Sequence, residues 1–539
     1  MVPLKYKRLL DFCKRFSSII CYGASEHGFV VKHFLEKHNI NVSAFLISDD
    51  VCIDDCRDGI PVYSVKNYRC ASKNDGIVLS LYERHHKNIL RELKRIGCQD
   101  NVFAIEDSLQ QCMHLDLVVN ERDSTIFSPI DIKKDKVDKY KLENDLFWNK
   151  YKFIECRFFD VLAIGAYSLW IYYSYMRTQA DSRIFHLYYP VVYEHRPEER
   201  LKGANGYLLN KMNNDGIAVI TENNLQFWQY VIQKNKKRVR FFDDYIFTGC
   251  SKDACACCNN IKLDKELIYI EKDELLEGEK IKKKLGIRDK FICISNRDIV
   301  YRKKRNREKL KPDFRDEYRN SNIDGHSLAT DYLARCDIQA VRMGVMVEKQ
   351  WNHKNVINYA GSKKRSEFMD IYLIKQCKFF VSDVSGILAI SMLMAKPMIV
   401  TNSASLTNRF DAMVFYSPDK DIALLKKLWD SQNKRYLTIR DMLNFEINIC
   451  IQEPNLSGAL YAEYKRRGIV PINNTPEEIL AVVKEMNERI DGTIKYDEID
   501  IKLQRRYRDI VDNYPMKENV LNNWRLGASF LRENRWLLN

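Results

Sequence analysis

The sequence predicts an α/β chain built from doubly wound parallel sheets, closed by a helical C-terminal region. Three observations lead there. Short apolar runs alternate with amphipathic stretches of helical period over most of the length. Glycine recurs where a run gives way to such a stretch, as at Gly23, Gly28, Gly344 and Gly386. The segment 421–539 carries helix start and stop signals instead.

Residues 17–22 read as a strand, followed by the turn Gly23-Ala24-Ser25-Glu26-His27-Gly28 and an amphipathic helix over 29–37. Strands follow at 41–48, ending in Asp49 and Asp50, and at 76–82, before a helix at 87–97. This is the pattern of strand–helix–strand units in a parallel sheet. Two readings of the turn stay open. Gly23, Ala24 and Gly28 form a second nucleotide site, backbone N–H groups meeting a phosphate at a helix N-terminus. Alternatively, the glycines only permit tight packing. Residues 1–115 resemble the small Rossmann-like domain that opens some sugar-modifying enzymes, such as sugar acetyltransferases.

The polar stretch 116–150 reads as a connector. A second α/β pattern runs over 151–285, with strands at 158–164, 183–192 and 216–221 and helices at 205–213 and 225–235. A third runs over 286–420, with strands at 291–295, 338–342, 355–359, 378–381 and 397–401. Its helices are expected at 325–336, 368–377 and 387–395. In the last region, Thr475-Pro476-Glu477-Glu478 is a capping box with proline at the first helical position. Ile479, Leu480, Val482, Val483, Met486 and Ile490 form the apolar face of that helix, and Gly492 closes it.

At 539 residues the chain has room for three or four domains, at roughly 150 residues each. Basic residues outnumber acidic ones 87 to 73, a net charge of +14 that favours anionic partners. The 16 cysteines are scattered, as in a reduced cytoplasmic protein. The first twenty residues carry too many charges for a signal segment, and the uncharged stretch 161–176 is too short to span a bilayer. The expected location is cytoplasmic, with peripheral contact at the inner face of the membrane. A nucleic-acid partner is not expected, because no recognised binding signature accompanies the charge.

Six blocks, in order, carry a resemblance over about 150–539. They are Ser295-Asn296-Arg297-Asp298, Tyr318-Arg319-Asn320-Ser321-Asn322-Ile323-Asp324, Val341-Arg342-Met343-Gly344, and Phe368-Met369-Asp370-Ile371 leading to Ser385-Gly386. Gly468-Ile469-Val470-Pro471-Ile472-Asn473-Asn474-Thr475-Pro476-Glu477-Glu478-Ile479 and Gly527-Ala528-Ser529-Phe530-Leu531-Arg532-Glu533-Asn534 complete them. Together they resemble a family of bacterial glycosyltransferases of surface-carbohydrate biosynthesis. The resemblance implies two Rossmann-like domains of the GT-B type, an acceptor side at 151–285 and a donor side at 286–420. It also implies a nucleotide-diphosphate sugar as donor, and as acceptor a cell-surface glycan or its lipid-linked precursor. Two departures stand out: Ala166-Tyr167 after Gly165 where the family has His-Leu, and Asp383 in place of a small hydroxyl residue.

Transfer of a glycosyl group leaves negative charge on a diphosphate. Arg297 and Arg342, at neighbouring strand ends, are expected to hold it and so to be the catalytic groups. Backbone N–H groups after Ser385 and Gly386 would share that charge. Arg319, Asn322, Asp324, Gly344, Asp370 and Asp383 complete the expected donor site. The competing reading pairs the arginines with Asp298, Asp324 or Asp370.

No metal and no cofactor beyond the donor is expected. Asp419 and Asp421 have the spacing of a metal-binding pair, but they precede a helical run at 422–429 and read as its cap. Cys250, Cys255, Cys257 and Cys258 lack paired zinc-knuckle spacing, and their metal binding stays open. The basic run 302–311 suits an anionic acceptor, a membrane surface or a solvated loop. Asp160, Glu194 and His195 lie on the acceptor side without singling out a general base. The rival functions are a non-catalytic nucleotide- or sugar-binding scaffold and a nucleic-acid-binding protein.

Overall fold

A computed structural model of the chain describes residues 4–24, 26–49, 56–57, 59–68, 74–81, 83–98, 100–106, 109–110, 113, 134–160, 168, 181–191, 205–211, 216–221, 224–243, 266–300, 314–406, 420–452, 459–514 and 525–539. It forms two compact units, one of Met1–Phe158 with Ile220–Phe247 and one of Phe159–Val219 with Thr248–Asn539.

In the first unit, β1 (Ser18–Tyr22), β2 (Val42–Ile47), β3 (Cys56–Arg57), β4 (Ile60–Ser64), β5 (Asp75–Leu79) and β6 (Val102–Ala104) make one sheet in the order β3-β4-β2-β1-β5-β6. Its pairings are parallel except that of β3 with β4. Strand side chains alternate faces, so the sheet has two cores. Cys21, Phe45 and Val78 meet α1 (Leu4–Cys13) and α2 (Glu26–Lys37) on one face. Tyr22, Leu46 and Leu79 meet α3 (Glu83–Arg95) on the other. Helix α1 was not anticipated among the N-terminal charges, yet Tyr6, Leu9, Leu10 and Cys13 fall on one buried stripe.

Helix α4 (Lys134–Lys150) occupies the second half of the polar segment read as a connector. Its Phe147 meets Trp228 of α6 (Leu225–Lys234) edge to face at 5.6 Å. Close by, β7 (Phe153–Asp160) pairs in parallel with β10 (Val239–Asp243).

In the second unit, β8 (Ile184–Val191) pairs in parallel with β9 (Ile217–Val219), and α5 (Gly206–Lys211) lies between them in sequence. The dominant element is a six-stranded sheet of β11 (Phe291–Ser295), β12 (Gln339–Arg342), β13 (Val356–Asn358), β14 (Phe380–Asp383), β15 (Met398–Ser403) and β16 (Ile422–Leu425). Its order is β13-β12-β11-β14-β15-β16, all pairings parallel. The strand order reverses direction between β11 and β14, so the crevice at their carboxyl ends is the topological switch point. Around it lie α7 (Lys272–Lys284), α8 (Phe314–Arg319), α9 (Ser327–Arg335), α10 (Glu367–Gln376) and α11 (Leu388–Leu393).

One expectation in this sheet is overturned. Residues 422–429 are not a helix but β16 and β17 (Lys427–Asp430). Asp421 therefore caps no helix; its carboxylate accepts the Met398 N–H at 3.0 Å, at the start of β15. The physical reason is the ladder to β15, which satisfies the backbone of this apolar run, whereas a helix would have exposed half of it. Helix α11 is also shorter than the predicted 387–395.

The C-terminal region is mostly helical, with α12 (Ile439–Gln452), α13 (Ala459–Arg466), α14 (Pro476–Ile490), α15 (Glu498–Asp512) and α16 (Ala528–Glu533). It also holds a three-stranded antiparallel sheet of β18 (Arg435–Tyr436), β17 and β19 (Ile469–Ile472). Both bonds of the α14 capping box form. Ile479, Val482, Val483 and Met486 are buried as predicted, while Ile490 is exposed. Among the described residues, no helix is long and apolar enough to cross a membrane.

The turn after β1 admits one prediction. A Cβ at Gly28 would stand 1.8 Å from the Gly23 carbonyl oxygen. Backbone cannot yield as a side chain does, so Gly28→Ala is expected to destabilise the first unit by at least about 1–3 kcal/mol, the usual cost of overpacking. Urea unfolding followed by far-UV circular dichroism measures it, and an unchanged midpoint would contradict the packing described.

Candidate functional site

The polar groups of the second unit converge at the switch point. Asp383 ends β14 and is wholly buried. One carboxylate oxygen accepts the Thr401 hydroxyl at 2.8 Å and the Asn402 amide at 2.9 Å, both from β15. The other accepts the Arg297 backbone N–H at 3.0 Å and the Ser321 hydroxyl. Four donors replace the water that a buried carboxylate loses. Asn402 reaches its position with φ +56 and exchanges backbone-to-side-chain bonds with Asn474, at 2.7 and 2.8 Å. Thus the ends of β11 and β14, the 320–322 turn, β15 and the segment before α14 share one network.

The 320–322 turn is held from several sides. Asn296 donates to the Ser321 carbonyl at 2.9 Å, and the buried Lys426 ammonium donates to the Asn320 carbonyl at 2.9 Å. Arg297 donates to the Asn320 side chain at 2.7 Å and lies 3.7 Å from Asp316.

Arg342 ends β12 with 1% of its surface exposed. Its guanidinium donates to the Lys349 carbonyl at 2.7 Å and to the Asn296 side chain at 3.2 Å, while the buried Nε has no partner. Both acceptors are neutral. Burial pushes its pKa down, opposed by Asp298 and Asp324. A strap crosses it: after Gly344, at φ +143, the Glu348 N–H donates to Asp298 at 2.9 Å and the Lys349 ammonium binds Asp324.

His326 lies at the start of α9, fully buried, with Nδ1 3.3 Å from the Ile323 carbonyl and no partner on Nε2. Burial drives its pKa down; Asp383 opposes this and Arg342 reinforces it. The ring is therefore neutral at pH 7, a polar group beside a buried cation. Sequence reasoning passed over it, as it did Ser321, Thr401, Asn402 and Lys426. Ser321 lies inside a quoted block, His326, Thr401 and Lys426 inside expected elements and Asn402 just beyond an expected strand, positions that single out no site.

The remaining expected residues take varied places. Asn322 caps the turn that follows it by accepting the Asp324 N–H at 3.1 Å. Arg319 is half-buried at the end of α8. The Ser385 hydroxyl lies 3.1 Å from that of Ser382, which is 2.9 Å from that of Ser295. Gly386 accepts the Ala389 N–H at 3.2 Å within the short turn into α11. Asp370 lies on α10, buried and ion-paired with Arg365 rather than bonded to the switch-point network. The competing pairing of arginines named the wrong carboxylates: Arg297 has Asp316, and Arg342 has no ion-pair partner among the described residues.

No family model matches the chain. No curated protein matches it either. Several solved structures are similar at low identity. A glycosyl transferase family 9 protein from Veillonella parvula shares 10% identity, covering 59% of this chain and 97% of its own at a TM-score of 0.32. The ADP-heptose lps heptosyltransferase II of E. coli shares 11%, covering 88% and 98% at a TM-score of 0.28. The iron-containing dodecameric glycosyltransferase TibC of enterotoxigenic E. coli shares 11%, covering 51% and 63% at 0.29. Likenesses this distant carry no weight in assigning chemistry, which rests on the residues above.

Among the described residues, no group of three or more His, Cys, Asp or Glu side chains could hold a metal ion. Cys250, Cys255, Cys257 and Cys258, the basic run 302–311, Asp419, Glu194 and His195 lie outside the described residues, as does the Gly165-Ala166-Tyr167 segment. Asp160 is described only in its backbone, at the end of β7.

Two predictions follow from these groups. Asp383→Ala leaves buried donors without an acceptor and is expected to cost about 2–4 kcal/mol, read from denaturant unfolding. Burial, outweighing the Arg365 guanidinium, raises Asp370 to about 6. The folded state then binds this proton more tightly than the unfolded chain does, so the Asp370 contribution to stability falls as pH rises from about 4 to 6. Stability profiles of wild type and Asp370→Asn should diverge in that window and run parallel above it.

Proposed function

We propose that the chain is a glycosyltransferase that moves a sugar from a nucleotide-diphosphate donor to a cell-surface glycan or its lipid-linked precursor. The observation that carries the reading is the buried Arg342 guanidinium, which faces neutral partners at the carboxyl end of β12. A cation removed from water without a counter-ion is costly, and an anionic ligand relieves that cost. It stands beside the switch point, where open α/β sheets take their ligands.

In this reading the strap 344–350 releases Arg342 when the donor enters. The guanidinium then turns from the Lys349 carbonyl to the diphosphate and neutralises the charge that develops as the anomeric C–O bond breaks. Lys349 becomes available from Asp324 to add a second cation. Arg297 is reassigned: with Asn320 and Asp316 as partners, it fixes the 320–322 turn and acts on the donor through position. Asp383 holds both loops that frame the crevice. Leaving-group charge is met by protein cations and backbone N–H groups, without a divalent ion. The six-residue α11 adds little dipole, so the burden falls on Arg342.

Calorimetric titration of UDP, GDP, CDP and ADP into wild type and Arg342→Ala tests the reading. The variant is expected to lose about 1.5–3 kcal/mol of affinity, the scale of a charge-assisted hydrogen bond. Unchanged affinity in a folded variant removes the donor site. Turnover of a nucleotide sugar by wild type then separates an enzyme from a binding scaffold.

A further inference from the structure

We infer that the first unit holds a separate site for a ribonucleoside phosphate, in the crevice between the carboxyl ends of β1 and β5. The strand order reverses there too, β1 lying between β2 and β5. Gly23 closes β1 with φ +117, a conformation that L side chains rarely adopt, and its N–H bonds the Leu46 carbonyl at 2.8 Å. Gly28, three residues into α2, rests against the Gly23 carbonyl. The N-terminus of this 12-residue helix is thereby pressed against the strand end, and helix N-termini favour anions.

A second observation points to a ligand independently. Ser80, just after β5, is fully buried and donates to the Tyr22 carbonyl at 2.9 Å and the Gly23 carbonyl at 3.3 Å. The Ser80 carbonyl in turn accepts the Gln110 amide at 3.2 Å. That bond fixes the orientation of the Gln110 carboxamide. Its Oε1, in a side chain with no exposed surface, is left at the same strand ends with no donor. A buried acceptor without a donor is rare, and a ligand N–H or O–H would satisfy it.

The third component is Asp49, just beyond β2. One of its oxygens accepts the Lys66 N–H at 2.9 Å and the other accepts no hydrogen bond from the described residues, on an exposed side chain. Its strand end is held in place: Glu92 of α3 accepts the hydroxyls of Tyr22, at 2.6 Å, and Ser48, at 3.0 Å. Anion-accepting backbone at one end and hydroxyl-accepting oxygens at the sides fit a phosphate ester that carries a vicinal diol. Leu81, whose side chain fills the space beside Gly23, adds an apolar wall for a base.

The test uses the full chain and equilibrium dialysis of AMP and UMP, with ribose 5-phosphate, 2′-deoxynucleotides and inorganic phosphate as comparison ligands. Arg342→Ala is expected to retain one nucleoside monophosphate per chain, which separates this site from the donor site. Asp49→Asn and Gln110→Leu are each expected to weaken that binding about tenfold, and removal of the 2′-hydroxyl to weaken it comparably. A melting curve confirms that each variant is folded, and a variant that is not is replaced by Asp49→Ser or Gln110→Met. Loss of all nucleotide binding in Arg342→Ala overturns the inference, as does binding unchanged in both first-unit variants. Ribose 5-phosphate or inorganic phosphate binding as tightly as AMP and UMP overturns the nucleotide assignment.

Discussion

The second unit is organised by one buried negative charge. The Asp383 carboxylate is wholly buried and, among the described residues, has no direct cation, so its stability depends on four hydrogen bonds from three segments, the end of β11, the 320–322 turn and β15. Each donor is constrained in turn. Asn402 is held by Asn474, Ser321 by Asn296 and by the Arg297 carbonyl, and Thr401 by the β15 ladder. A hydroxyl in this place could not accept so many bonds. The acid at 383 and the donors around it therefore belong together.

This network also explains why Arg342 is exposed to an electrostatic cost. Asn296, which could have faced the crevice alone, bridges Arg342 to the Ser321 carbonyl. The carboxylates nearest in sequence pattern are engaged elsewhere: Asp298 with the strap backbone, Asp324 with Lys349, Asp383 with its four donors. The cation is left with dipoles. A buried cation whose direct partners are neutral is the feature on which the proposed donor site rests.

Much of the strand content was legible in the sequence. The runs expected as strands at 291–295 and 397–401 are found as β11 and β15, which bury every residue as strands covered on both faces do. The α14 capping box formed as read, because its bonds are local and need no tertiary partner. Where sequence reasoning failed, a long-range partner had decided. The run 422–429 has composition compatible with helix or strand, and the β15 edge settled it. Arg297 looked identical to Arg342 in context, yet one found Asp316 on a helix over fifteen residues away in sequence and the other found only carbonyls.

The sequence by itself determined the alternation of strands and helices, the turn that only glycine can make at Gly23, and the identities of the residues that gather at the strand ends. These depend on local conformational preference and on hydrophobic period, both written in neighbouring residues. Only the tertiary structure decided which charges would be neutralised. Pairing between Asp383, Asn402 and Asn474, or the lack of an ion-pair partner for Arg342 among the described residues, is a matter of which distant segments meet in a medium of low dielectric. There, a few ångströms separate a structural ion pair from a binding group.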